Sequence, residues 1–127
     1  VGSRLAGGAP AARVAPRSMV PIGDAALVVV DMSVEQWANI HHNRDEVLET
    51  IRALAAKPWR LKIDSRLWLS SPEESSLSWA YPEWGTTMGL PDSDGAALVP
   101  ELRDAGLQFL EKKHYSCFAV THVVVVG

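Results

Sequence analysis

The chain has a single cysteine, Cys117, among its 127 residues. That excludes an internal disulfide framework and any zinc site built from several cysteines. It has no basic stripe, and its net charge is only −3, so nothing in it resembles a nucleic-acid footprint. Its longest apolar runs, residues 25–30 and 123–126, are far too short to span a bilayer. The first apolar run is followed by neither G-x-G-x-x-G nor a P-loop, so a nucleotide-binding domain would lack its phosphate cradle.

What is present reads as one domain with a real core, since 47% of the residues are hydrophobic. Residues 1–18 stand apart. They carry three arginines and no acid, are rich in Ala, Gly and Pro, and show neither period 2 nor period 3.6. They are expected to be a disordered leader, or else an organelle (mitochondrial) targeting segment, with Met19 as a candidate start. The folded domain is then residues 19–127, with a cytoplasmic location the default expectation.

From Ala25 the pattern becomes regular. "AALVVVD" is a continuous apolar run ending in an acid, the pattern of a strand buried on both faces of a parallel sheet. Asn43 is placed to cap a helix, with Asp45 and Glu46 in its first turn. Val47, Leu48, Ile51, Leu54 and Ala55 form its apolar stripe, and Pro58 stops it. "WRLKIDSRLWL" is a second strand. A long Ser-, Pro- and Gly-rich loop follows, carrying Trp79 and Trp84. "AALVPELRDAG" predicts a short helix ending at Gly106, "LQFLEK" a third strand and "HVVVVG" a fourth. The alternation argues for an α/β fold with a mainly parallel sheet flanked by helices.

Two residues stand where such sheets place their ligands, at the carboxyl ends of strands. Asp31 would act there as a general base, or would merely cap the following turn. Lys112, at the end of the third strand, would hold Asp31 ionised, or would be part of a solvated "EKKH" turn.

"ALVVVDM", "GAALVPELRDAG" and "LEKKHYSCF" together resemble the isochorismatase-like cysteine hydrolases. That family reads as an apolar strand into D-M, a G-x-x-L-x-P/x-E-L segment, and a strand followed by K-x-x-Y-S-A-F. The resemblance covers residues 19–127 and implies a Rossmann-like three-layer α/β/α fold. It also implies hydrolysis of a small molecule by an Asp-Lys-Cys triad, in which Asp31 and Lys112 supply two members. The alternative is a catalytically inactive member kept for binding or assembly.

The family's nucleophilic cysteine falls shortly after Gly127, outside these residues. Thr121 and His122 leave no room for the crossover that parallel neighbours need, so further residues are expected at that junction and after Gly127. Cys117 stands where the family has Ala and is expected to pack beneath the site. Trp37 follows the acid as the family's aromatic does and would wall the substrate pocket, with Gln36 as a polar neighbour. The region where nicotinamidase-like members bind zinc has no histidine, and adjacent His41 and His42 project differently, so no metal and no cofactor are expected. The tryptophan-rich loop and open sheet faces fit a homo-oligomer.

Overall fold

The computed structural model describes residues 19–75 and 88–118. The expected leader, the fourth strand, the junction at Thr121 and the two loop tryptophans Trp79 and Trp84 lie outside them. Within them the chain forms an α/β unit around a three-stranded parallel sheet. Strand β1 is Ala26–Val30, a single helical turn α1 is Val34–Trp37, and helix α2 is Arg44–Ala55. Strand β2 is Leu61–Leu67 and β3 is Gln108–Lys112, in the spatial order β1-β2-β3. The register pairs Val30 with Ser65, and Leu67 with Lys112.

Helix α2 forms because its apolar stripe matches its period, and it buries Leu48 and Ala55. Leu48 joins a core with Val29, Met32, Trp37, Val99 and Leu102, against which Leu27, Val47 and Ile51 also pack. Side chains alternate along a strand, so Val29 faces α2 while Val28 and Val30 face the other way. On that other face of the sheet, Leu67 packs with Leu69 and Met88 in a smaller cluster.

Three local expectations are corrected. Strand β1 is not buried on both faces: it borders the described sheet, Val29 is its one buried residue, and Val30 is 48% exposed. Asn43 precedes α2 but makes no side-chain cap bond, because its backbone is left-handed at φ 54°. "AALVPELRDAG" is not an α-helix ending at Gly106. Pro100 forces Val99 into extended backbone, and only a 3-10 turn, Pro100–Leu102, follows. Gly106 instead takes φ 74° in the link to β3, a conformation that favours glycine.

The segment after β1 is stitched to the 95–99 loop. The Val34 and Glu35 amides donate to the Ala97 and Gly95 carbonyls, and the Val99 amide donates to Met32 O at 3.0 Å. This stitching holds the start of α1 beside the carboxyl end of the sheet.

Leu102 is wholly buried in the larger cluster. Leu102→Ala is expected to lower unfolding free energy by about 2–5 kcal/mol. Glu49→Ala, on the exposed side of α2, should change it by less than about 0.5 kcal/mol. Urea denaturation followed by circular dichroism measures both, and similar losses in the two variants would contradict this core.

Candidate active site

Asp31 leaves β1 with a left-handed backbone, φ 61°, a conformation aspartate tolerates better than most residues. Its amide still donates to Ser65 O at 2.9 Å, so the turn begins while the residue is tied to β2. Lys112 ends β3, on the far side of β2. The two backbones are separated by two strand spacings, about 9.5 Å. The side chains close that gap over the central strand, and Lys112 Nζ lies 2.8 Å from Asp31 Oδ1.

The lysine is 3% exposed and the aspartate side chain 39%, so the pair is dry at the amine and wet at one side of the acid. Oδ1 itself is buried, and no hydrogen bond of normal geometry reaches it. The contact is therefore an ion pair set by distance rather than an aligned hydrogen bond. The amine also donates to Tyr115 O at 3.2 Å, which ties the turn after β3 to the same charge.

Asp31 opens into a cleft of about 510 Å³. Its apolar wall is Val30, Met32, Trp37, Ile40, Val47 and Met88. Asp31, Gln36 and Asn39 are the polar groups in that wall. Trp37, foreseen as a pocket wall, lines the cleft while being itself 6% exposed. Its other surroundings fix it: the Arg44 guanidinium lies 4.6 Å from the ring centroid and donates to the Trp37 and Ile40 carbonyls. Gln36 is held by Ser33, whose hydroxyl donates to Gln36 Oε1 and accepts from the Gln36 amide. Lys112 does not line the cleft. It stands behind Asp31 and reaches the cavity only through it.

Sequence reasoning passed over three charged residues nearby. Asp64 and Arg66 are buried on β2 and paired at 2.9 Å, and Arg66 donates to the Ala96 carbonyl. Its guanidinium also sits 4.4 Å from the Phe109 ring centroid. Burial pushes the Asp64 carboxyl up from its ordinary range, and Arg66 pulls the other way. The signal was available, since acid and arginine two apart in a strand share one face. Glu35, on α1, is the third. One carboxylate oxygen accepts the Gly89 amide, and the glutamate lies so close to Gly95 that a β-carbon there would meet it at 2.7 Å. Burial raises its pKa, opposed by the Gly89 hydrogen bond.

Cys117 is buried, 7% exposed, and is not part of the cleft wall. Among the described residues, no group of three or more His, Cys, Asp or Glu side chains is placed to hold a metal ion. Among them too, no helix is long and apolar enough to cross a membrane. No family model, curated protein or solved structure matches the chain.

Removing the acid should cost more than removing the amine. Asp31→Asn keeps the left-handed turn but leaves an enclosed ammonium without its anion, at about 1–3 kcal/mol. Lys112→Met leaves a carboxylate that can hydrate, and should cost under about 1.5 kcal/mol. Denaturant titrations give the order, and a reversed order would show that the lysine is solvated. The pKa of Glu35 is raised above its ordinary 4.5, so its contribution to stability is greatest below that value and falls as pH rises through the folded-state pKa. Glu35→Gln removes this term. Its stability relative to the parent should therefore increase from acidic to neutral pH, as thermal unfolding at several pH values would read; a flat difference would contradict it.

Proposed function

We propose that the chain is an isochorismatase-like cysteine hydrolase of Rossmann-like α/β/α architecture, acting on a small molecule through Asp31 and Lys112. The observation that carries this reading is the 2.8 Å pair between an acid and a lysine at the carboxyl ends of two parallel strands, beside a cleft. The sequential order of three parallel strands is also what half of a doubly wound sheet provides, and such sheets bind ligands at that end.

In this reading Asp31 accepts the proton of a cysteine thiol, and the thiolate attacks the substrate's carbonyl carbon. The C–N bond breaks, the amine leaves with a proton, and a thioester remains. Water then opens the thioester, releasing the acid and restoring the thiol. Lys112, 2.8 Å from Asp31 Oδ1, places a positive charge beside the acid that takes the proton. Cys117 is buried and does not line the described cleft, so it is not assigned as that nucleophile. That same position of Cys117 favours the second reading, a hydrolase-like fold that binds a small molecule without turning it over. Exposed Val30, Tyr115 and Phe118 support self-association in either case.

The test is a panel of small amides offered to protein expressed from its complete reading frame. Asp31→Asn and Lys112→Met, each assayed where it remains folded, should lose at least about 100-fold in kcat/KM. Turnover that survives both changes sinks the triad assignment. Absence of turnover in the parent protein points to the binding-only reading.

A further inference from the structure

We propose that Glu35 is a positioning residue that sets how large a ligand the cleft accepts, by holding Met88 in the wall through the neighbouring Gly89 amide. This concerns the width of the cleft and holds whether or not the chain turns a substrate over. Met88 is singular among the described wall residues. Every other one lies between Val30 and Val47, on the connected run from β1 into α2. Met88 comes from a distant segment, so its placement against that run decides how much room a ligand finds.

Glu35 is the residue of that run whose side chain holds the distant segment. Its Oε1 accepts the Gly89 amide at 2.5 Å, while its own amide donates to the Gly95 carbonyl at 2.9 Å. One residue of α1 thus fastens both ends of the 89–95 loop. The next two residues of α1, Gln36 and Trp37, line the cleft, so the bond to Gly89 links that wall to Met88. On the β2 side, the Gly89 carbonyl accepts the Leu69 amide at 2.7 Å, and Met88 packs on Leu67 and Leu69. Gly89 takes φ 74° close against Leu67, where a β-carbon would meet the Leu67 side chain at 3.0 Å. Met88 is therefore seated by apolar contact with β2 and drawn toward α1 by a carboxylate.

This tether depends on charge, since an ionised carboxylate accepts an amide more strongly than its protonated form does. Among the described residues no ion pair engages Glu35. The charged groups on the elements packed against it are Asp92 and Asp94, in the loop it fastens, and Arg66 on β2. Arg66 is committed to Asp64 and the Ala96 carbonyl, and Asp31 at the cleft is paired with Lys112. Burial raises the pKa of Glu35 above its ordinary 4.5, against the pull of the Gly89 bond. As pH falls through that raised value, the tether weakens and Met88 is free to draw back from the α1 wall.

Two alcohols that stay neutral across the pH range, benzyl alcohol and the larger 1-naphthalenemethanol, probe the width. The full 127-residue chain, labelled with 15N and with 13C at the methionine methyls, is titrated with each by NMR. Binding is read at Met32 and Met88 in the wall, with Met19, 93% exposed and outside it, as the internal control. Glu35→Gln keeps an acceptor for Gly89 but removes the charge. At neutral pH it should raise the naphthyl-over-benzyl affinity ratio by about 3-fold to 10-fold, the margin between a charged and a neutral hydrogen bond. In the parent the ratio should rise in the same way as pH falls through the Glu35 pKa, together with a shift of the Gly89 amide proton. Neither change should occur in Glu35→Gln, which retains every other acid. Met88→Ala should raise the ratio by itself and leave Glu35→Gln with little further effect, because the two residues act through one chain of contacts. A role of Glu35 in stability alone would leave the ratio unmoved. The proposal is overturned if neither alcohol shifts Met32 and Met88, if Glu35→Gln leaves the ratio and its pH dependence unchanged, or if its effect persists undiminished in Met88→Ala. Binding is read here without turnover, so a protein that behaves this way and hydrolyses nothing would uphold the tether while sinking the hydrolase reading.

Discussion

An ammonium group that is almost wholly removed from water has to find an anion, and in this fold Lys112 finds it two strands away. Much of the local geometry serves that meeting. Lys112, level with Leu67 at the end of β2, reaches across that strand to Asp31. Asp31 must turn out of β1 at once, which its left-handed backbone accomplishes. The turn after β3 must bring the Tyr115 carbonyl back to the amine. The cleft then inherits an acid that is paired from behind and whose open side faces the cavity.

Strand β2 has a second ion pair on its opposite face. Asp64 and Arg66 are enclosed there with the Ala96 carbonyl and the Phe109 ring. Buried pairs of this kind contribute little net stability compared with well-packed apolar residues, but are costly to break. Their value lies in orientation. Arg66 ties the central strand to the same 95–99 segment that bonds to Met32 and to the amides of α1. The segment is therefore fastened to the central strand and to α1 at the end where the cleft opens.

Much of this was legible in the chain itself. The three parallel strands, α2 and its stripe followed from periodicity, and Asp31 and Lys112 followed from their places at strand ends. What failed did so for specific reasons. The run "ALVVV" suggests burial on both faces, but apolar composition cannot say whether a strand is central or bordering. The helix expected across 96–105 overlooked how firmly a proline fixes the residue before it. Asp64, Arg66 and Glu35 were not singled out, because their role shows only in what they touch after folding. The spacing of Asp64 and Arg66 hints at their pairing, but the contacts of Arg66 with Ala96 and of Glu35 with Gly89 span more than twenty residues and follow only from folding. The cleft itself is tertiary, since Met88 meets residues of β1, α1 and α2 only after folding.

The close fit of Glu35 against Gly95 couples these two positions, since a side chain at 95 would push the Glu35 carboxylate aside. Glycine leaves the space that the glutamate occupies, and the glutamate in turn fastens the chain at Gly89. Among related sequences, a larger residue at 95 should appear only alongside a shorter one at 35. That paired change would release the Gly89 amide next to Met88, which is part of the cleft wall.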